Sequence, residues 1–368
     1  MATKPASRLL SIDALRGFDM LLISGGGSFI ALMHGKTDRP WVDAAAAQLE
    51  HPAWNGFTFY DFIFPLFLFL AGVSLSFSLN KAKAAGFDNK TLYIKSFRRM
   101  VVLVFLGILF KNAPVPIWEP WNIRFVSVLG RIGFAGFITT LLYLNFNYHS
   151  RLVWIAGILV LYYAVLFWIP VPGYGAGDLS FEGNLVGWFD RTFLPGRLLQ
   201  GTYDELGLLT QFPALCLTMT GALAGELLQS ELPDNRRLMI LGLSGIGAIA
   251  LGLLWGMHFP INKHLWTSSF ILLTAGMALL FLAAFYGLIE VAGFRRWAFF
   301  FQVIGMNSLT IYFAYRFVNF RYTSRLLFEG IYRPLPEPWH EVLEAFGALA
   351  LVWLFLYILY RQRIFWKI

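Results

Sequence analysis

Residues 51–79 read HPAWNGFTFYDFIFPLFLFLAGVSLSFSL. From Phe57 onward the only charged side chain in this stretch is Asp61. The rest is long enough to cross bilayer hydrocarbon, which takes about 20 mostly apolar residues. The pattern predicts a membrane span with a carboxylate in its first turn and His51 just ahead of it. Ionisable groups at the edge of hydrocarbon are expensive and mark functional positions. Imidazole is also the side chain best suited to moving protons near neutral pH. Pro52 favours a stiff turn, and Gly56 permits unusual backbone before the helix. If residues 51–56 fold back over the helix start, Asp61 holds one ring nitrogen and the other serves as a general base. The competing reading is an interfacial histidine beside a carboxylate that merely favours the helix N-terminus.

The flanking sequence has the same character. Of 368 residues, 58% are hydrophobic, 18% aromatic and only 14% charged, against about 25% charged in soluble domains. Apolar segments recur at residues 14–33, 57–79, 98–114, 124–145, 152–170, 205–228, 237–257, 265–290, 298–318 and 343–361. The expected fold is all-α: a polytopic bundle of about ten transmembrane helices, with residues 1–368 forming one transmembrane domain. The net charge of +8 does not point to nucleic acid, because the basic residues sit in short clusters between apolar runs. Lys81 and Lys83, Arg98 and Arg99, Arg236 and Arg237, Arg295 and Arg296, and Arg361 and Arg363 all fall on one side. That places both termini in the cytoplasm. The longer loops, with Trp41, Trp54, Trp188 and Trp339 in or beside them, face the other side, as does His51. Met1 to Arg8 reads as a cytoplasmic tail rather than a cleaved signal. A lone Cys216 rules out an internal disulfide or a cysteine metal cluster.

Other polar residues interrupt the spans. Arg16, Arg124, Arg131 and Arg316 each need a partner or solvation in a membrane. Arg16 has Asp13 one turn earlier. Arg124 and Arg131 stand seven residues apart, so on a helix they share one face and suit an anionic ligand such as phosphate. Lipid head groups are the blander partner. Ser24-Gly25-Gly26-Gly27-Ser28 breaks the first span. Close helix packing is the favoured reading, and an unwound stretch lining a cavity is the alternative. Pro260 to Ser269 offers polar donors at a helix start. In Gly305-Met306-Asn307-Ser308, the Asn and Ser are expected to hold neighbouring helices together. Asp204 and Glu205 either bind a cation such as an amine or cap the sixth span. The remaining histidines show no metal-ligand spacing, and no HExxH, GxSxG or Walker motif occurs.

Together these segments resemble one family. Arg8-Leu9-Leu10-Ser11-Ile12-Asp13-Ala14-Leu15-Arg16-Gly17, the triple glycine, the His51-to-Pro65 block, Val128-Leu129-Gly130-Arg131, Asn262-Lys263-His264-Leu265-Trp266, Gly305 to Ser308 and the tail Tyr360 to Ile368 make the chain similar to a bacterial heparan-alpha-glucosaminide N-acetyltransferase, a transmembrane acyltransferase. The resemblance implies a multi-pass inner-membrane enzyme. It would move acetyl from cytosolic acetyl-CoA to the amine of a glucosamine-type sugar or glucosamine-ended glycan on the periplasmic side. It also implies that His51 is catalytic and Asp61 supports it. On this reading Arg16, Arg124, Arg131, Ser269 and Asn307 serve acetyl-CoA, and Trp54, Asn55, Asp204, Asn262 and Lys263 serve the acceptor. No metal is expected. Membrane lipid is a partner, and a homodimer is compatible with the resemblance. Where the family carries Asn shortly before the triple glycine, this chain has Ser24, and its loop from there to His51 is longer. The competing class is a secondary transporter of an amino sugar, which broken helices with buried polar groups also fit.

Overall fold

The computed structural model describes residues 9–366. The segment 1–8, read above as a cytoplasmic tail, lies outside the described residues, as do Lys367 and Ile368 at the end of the tail motif. The described chain is helical and contains no strand, only isolated bridges Arg124–Gly196 and Val171–Gly175. In chain order the first helices are α1 (Leu10–Leu21), α2 (Gly27–Ala31), α3 (Pro40–Ala47), α4 (Phe59–Ala84) and α5 (Asn89–Lys111). Next come α6 (Val128–Asn145), α7 (Tyr148–Trp168), α8 (Leu185–Phe193), α9 (Gln211–Leu228) and α10 (Asp234–Gly256). The last are α11 (Ser268–Tyr286), α12 (Ala298–Gly305), α13 (Ser308–Phe317), α14 (Phe320–Tyr332) and α15 (His340–Arg361). The helices form two compact units. One holds Trp54–Gly56 and Pro65–Leu280; the other holds residues 9–53, Phe57–Phe64 and residues 281–366.

Among the described residues six helices are long and apolar enough to cross a membrane: Phe59–Ala84, Val128–Asn145, Tyr148–Trp168, Asp234–Gly256, Ser268–Val291 and Glu337–Arg361. The pair α12 and α13, bent by 67°, makes a seventh if it counts as one span. The expected ten segments therefore meet this test only in part. The 14–33 segment splits after α1. The 98–114 segment falls on α5, which carries Lys95, Arg98, Arg99 and Lys111. The 205–228 segment becomes helical only at Gln211 and contains Glu226.

In the first unit, α4 and α9 touch through glycine. A Cβ on Gly72 would lie 1.9 Å from the Thr218 carbonyl, and one on Gly221 would lie 1.9 Å from that of Phe69. Membrane helices gain van der Waals contact rather than hydrophobic transfer by associating, so missing side chains are what let these backbones meet. The start of α6 is set by Ser127, whose Oγ accepts the Gly130 N–H at 3.0 Å. Arg124 therefore lies ahead of the helix, and the expected shared face with Arg131 does not exist. The Arg124 guanidinium instead makes a buried bidentate pair with Asp204, both bonds 2.7 Å. Asp204 also accepts the N–H groups of Leu199 at 3.0 Å and Leu206 at 2.9 Å. Both charges are thus matched within the chain. Together they fasten the segment ahead of α6 to the segment ahead of α9.

In the second unit, α1 and α12 meet the same way. A Cβ on Gly17 would lie 1.8 Å from the Phe301 carbonyl, and one on Gly305 would lie 1.9 Å from that of Asp13. Phe18 sits among Phe281, Phe285 and Phe301. The triple glycine is not primarily a packing stripe, contrary to the favoured expectation. The chain opens there into a wide turn, Leu22–Gly26, with Gly25 at φ 107°, a conformation L side chains rarely adopt. Ser24 returns its hydroxyl to the Met20 carbonyl at 2.6 Å, and Tyr315 donates its hydroxyl to the Ser24 carbonyl. The opened turn thus keeps its polar groups satisfied, as a membrane interior demands. Asn307 does not tie neighbouring helices as expected. It occupies the bend between α12 and α13, where its Oδ1 accepts the Thr310 hydroxyl at 3.4 Å and its Nδ2 has no partner among the described residues.

Gly72→Val is expected to lower the melting temperature in detergent, equivalent to about 1–3 kcal/mol of overpacking. Gly136→Ala, where a Cβ meets nothing within 4 Å, should leave it unchanged or slightly raised. Arg124→Met or Asp204→Leu alone should each destabilise by about 3–5 kcal/mol, because either strands a buried charge. The double variant should recover much of that loss in the same melting assay.

Candidate active site

The turn between α3 and α4 is built on Gln48. Its side chain accepts the Phe59 N–H at 3.1 Å, and its carbonyl accepts the Tyr60 N–H at 2.9 Å. Thr58, immediately before α4, donates its hydroxyl to the Glu50 carbonyl at 2.6 Å. These bonds fold residues 48–58 back over the start of α4 and bring His51 to Asp61. His51 Nδ1 lies 2.6 Å from Asp61 Oδ1. The other oxygen, Oδ2, accepts the Thr58 N–H at 3.1 Å, the reciprocal half of a capping box. Asp61 therefore holds the histidine ring with one oxygen and the helix start with the other.

Asp61 is 1% exposed, and the His51 side chain is 40% exposed. An ionised carboxylate only accepts, so opposite ionised Asp61 the Nδ1 is the donor. The imidazole also packs on Tyr60, ring centres 4.8 Å apart. A held ring with part of its side chain exposed suits a general base.

The other unit holds a second polar cluster. Gly56, at φ 125°, donates its N–H to the Ile261 carbonyl at 2.9 Å. That bond seats Asn55 against Asn262, whose Nδ2 donates to Asn55 Oδ1 at 2.9 Å. Asn262 is fully buried and also accepts the Leu265 N–H at 2.8 Å. Lys263 follows it, half-buried. Trp54 stacks on His264 at 5.2 Å, and its indole N–H donates to the Leu179 carbonyl at 3.0 Å. The Tyr203 hydroxyl lies within hydrogen-bond distance of His264 Nδ1, at 2.8 Å. Burial, reinforced by Glu205 and Asp204, holds that phenol well above its usual range, so it stays protonated.

Arg131 is 1% exposed and lies over the Trp266 ring at 4.4 Å. Its Nη2 donates to the Glu205 carbonyl at 2.9 Å and to the Thr210 hydroxyl. Its Nε and Nη1 have no hydrogen-bond partner among the described residues. Trp266 is buried at φ 50°, a costly backbone for a bulky residue and one that concentrates at functional sites. Ser269 lies in the first turn of α11. Its hydroxyl is buried and donates to the Phe259 carbonyl at 2.7 Å, which serves the loop before α11. Arg16 has the expected partner, Asp13 Oδ1 at 3.5 Å.

Sequence reasoning missed Tyr60, Thr58 and Gln48, whose roles come from the turn rather than from their residue types. It also missed Asp19, which is fully buried in α1 with neither oxygen hydrogen-bonded among the described residues. A carboxylate in an apolar run, one turn after Arg16, was the available signal. Among the described residues no group of three His, Cys, Asp or Glu side chains is placed to hold a metal ion.

Residues 8–120, which include the His51–Asp61 pair, match a family described as Domain of unknown function (DUF5009). Heparan-alpha-glucosaminide N-acetyltransferase of Mus musculus is 25% identical over 427 aligned residues, covering 99% of this chain and 61% of that protein. The Homo sapiens protein of the same name is 26% identical over 424 residues, covering 98% and 60%. The chain thus spans about three fifths of the length of these relatives. Along nearly all of its own length, the chain is similar to the heparan-alpha-glucosaminide N-acetyltransferases of mouse and human.

Proposed function

We propose that the chain is a transmembrane N-acetyltransferase. It takes acetyl from acetyl-CoA supplied on the cytoplasmic side and delivers it to the amine of a glucosamine-type acceptor at the periplasmic face of the inner membrane. The proposal includes about ten membrane crossings with both termini in the cytoplasm. The three segments that fail a strict test of length and apolarity are then a broken span, a charged span and a polar span. The observation that carries the reading is the 2.6 Å contact between His51 Nδ1 and Asp61 Oδ1. The similarity to acetyltransferases over nearly the whole chain supports it.

In this reading His51 Nε2 takes the proton from the acceptor nitrogen as that nitrogen attacks the thioester carbonyl. The C–N bond forms, the C–S bond breaks, and the leaving thiolate recovers the proton from the imidazolium. Asp61 holds the tautomer and offsets the transient positive charge on the ring. Attack is direct, with no acetyl-imidazole on the way. Arg16 and Arg131 are assigned to the phosphates of acetyl-CoA, Arg131 because two of its guanidinium nitrogens have no hydrogen-bond partner among the described residues. Asn307 is assigned to the pantetheine arm, since its Nδ2 likewise has none among the described residues. Trp54, Asn55, Asn262 and Lys263 form the proposed acceptor-recognition set. Membrane lipid surrounds the protein, and a homodimer is compatible with the reading.

His51→Ala should lower glucosamine acetylation about 10²–10⁴-fold, the usual worth of a positioned base, while acetyl-CoA binding in detergent stays within a few-fold. Asp61→Asn should be severely impaired with binding likewise retained. Parallel loss of folding and binding in both variants would make the pair structural. Absence of saturable acetyl-CoA binding to the unaltered protein would favour a transporter. Labelled acetyl-CoA incubated without acceptor should leave no stable label on the protein; a label on His51 would replace direct attack with a covalent route.

A further inference from the structure

A cavity of about 410 Å³ opens in the second unit, away from the His51 imidazole. Its wall includes Gly25, Ser28, Tyr315, Arg316, Arg321 and Ala348. Two cations line it, Arg316 and Arg321, and among the described residues no carboxylate does. The acid next to Ala345 on α15, Glu344, is already held by Arg325, whose Nε and Nη2 reach one carboxylate oxygen at 2.9 and 2.8 Å. Glycine, serine and alanine keep the floor low, so a ligand can approach the guanidinium groups closely. Planar guanidinium forks match phosphate and carboxylate oxygens better than they match neutral groups.

The cavity also has a defined relation to the proposed chemistry. Gly25 and Ser28 line it, and Gly27 of the same turn faces the other way. A Cβ on Gly27 would meet the Tyr60 ring at 3.1 Å, and that ring packs on His51 at 4.8 Å. Residues 25–28 therefore connect the cavity wall to Tyr60, the ring that packs on His51. Tyr315, which closes the opened turn at the Ser24 carbonyl, is shared by the cavity wall.

We infer that this cavity is an anion subsite, taking a phosphate or carboxylate group through Arg321 and Arg316. Two sources fit the chemistry: an acidic substituent on the glucosamine-type acceptor, or the head group of an anionic lipid. The acceptor source rests on the acetyl-transfer reading; the anion site itself does not. With an acidic acceptor, the cavity selects amino sugars carrying phosphate or uronate over neutral glucosamine.

The test is calorimetric and needs no turnover, so it stands apart from whether acetyl is transferred. The full chain is placed in phosphatidylcholine nanodiscs and titrated with glucosamine, glucosamine 6-phosphate and inorganic phosphate. Glucosamine 6-phosphate should bind about tenfold more tightly than glucosamine, the worth of one charge-assisted contact. That preference should vanish in Arg321→Gln and survive in part in Arg321→Lys. Ser28→Glu places a carboxylate on the wall and should abolish the preference without touching either arginine, which keeps the test decisive if Arg321→Gln folds poorly. Inorganic phosphate should compete. If nanodiscs containing phosphatidylglycerol block phosphate binding in the unaltered protein, the subsite is upheld with lipid as its source. Equal affinity for glucosamine and its phosphate in phosphatidylcholine, or a preference unchanged in both Arg321→Gln and Ser28→Glu, overturns the inference.

Discussion

Asp61 divides its two oxygens between two tasks. Oδ2 closes the first turn of α4 by accepting the Thr58 N–H, and Oδ1 holds the imidazole of His51. The first bond fixes the carboxylate, so the second can fix the ring. A charged group buried to this degree is tolerable only with donors in place. Here the donors are the helix start and the residue whose orientation matters for chemistry. Gln48 and Thr58 then follow as consequences, since each pins a part of the turn that carries His51 to the carboxylate. The histidine is only partly covered, with one nitrogen committed inward to the carboxylate.

The helices that frame this turn obey a different constraint. In lipid, backbone groups must be satisfied inside the protein, and helix association depends on close contact. Gly17 with Gly305, and Gly72 with Gly221, let backbones touch. Two helices give up regularity, at the opened turn Leu22–Gly26 and at the bend around Asn307. The first is stitched by Ser24 and Tyr315. The second leaves an amide donor without a protein partner. Irregular backbone at such depth is usual where it lines a path for a ligand rather than where it faces lipid.

Buried charge sorts the remaining polar residues. Arg124 and Asp204 exhaust one another and tie two loops together. Arg131 is only half-satisfied and rests on a strained Trp266. Asp19 is enclosed without a donor. The first pair is therefore structural, whereas Arg131 and Asp19 keep hydrogen-bonding capacity that the described chain does not use. Removing water from a polar group without replacing its bonds costs free energy; a pattern of unmet groups is thus more informative than a count of charged residues.

Long apolar runs specified helices and a membrane setting, because both depend on composition summed over about 20 residues. The pairing of His51 with Asp61 was also readable, since Pro52 and Gly56 mark a turn short enough to bring them together. Arg16 with Asp13 followed from helical spacing alone. The rest required tertiary structure. Arg124 looked like a phosphate ligand until Asp204, 80 residues away, took its charge. Ser269 looked available until its hydroxyl turned to Phe259, and the triple glycine looked like a packing stripe until Tyr315 was seen bracing an opened turn. Each of these outcomes depends on which partner arrives from a distant segment. Local sequence sets a side chain's hydrogen-bonding capacity, but only the packed chain decides whether that capacity is filled from within or left for a ligand.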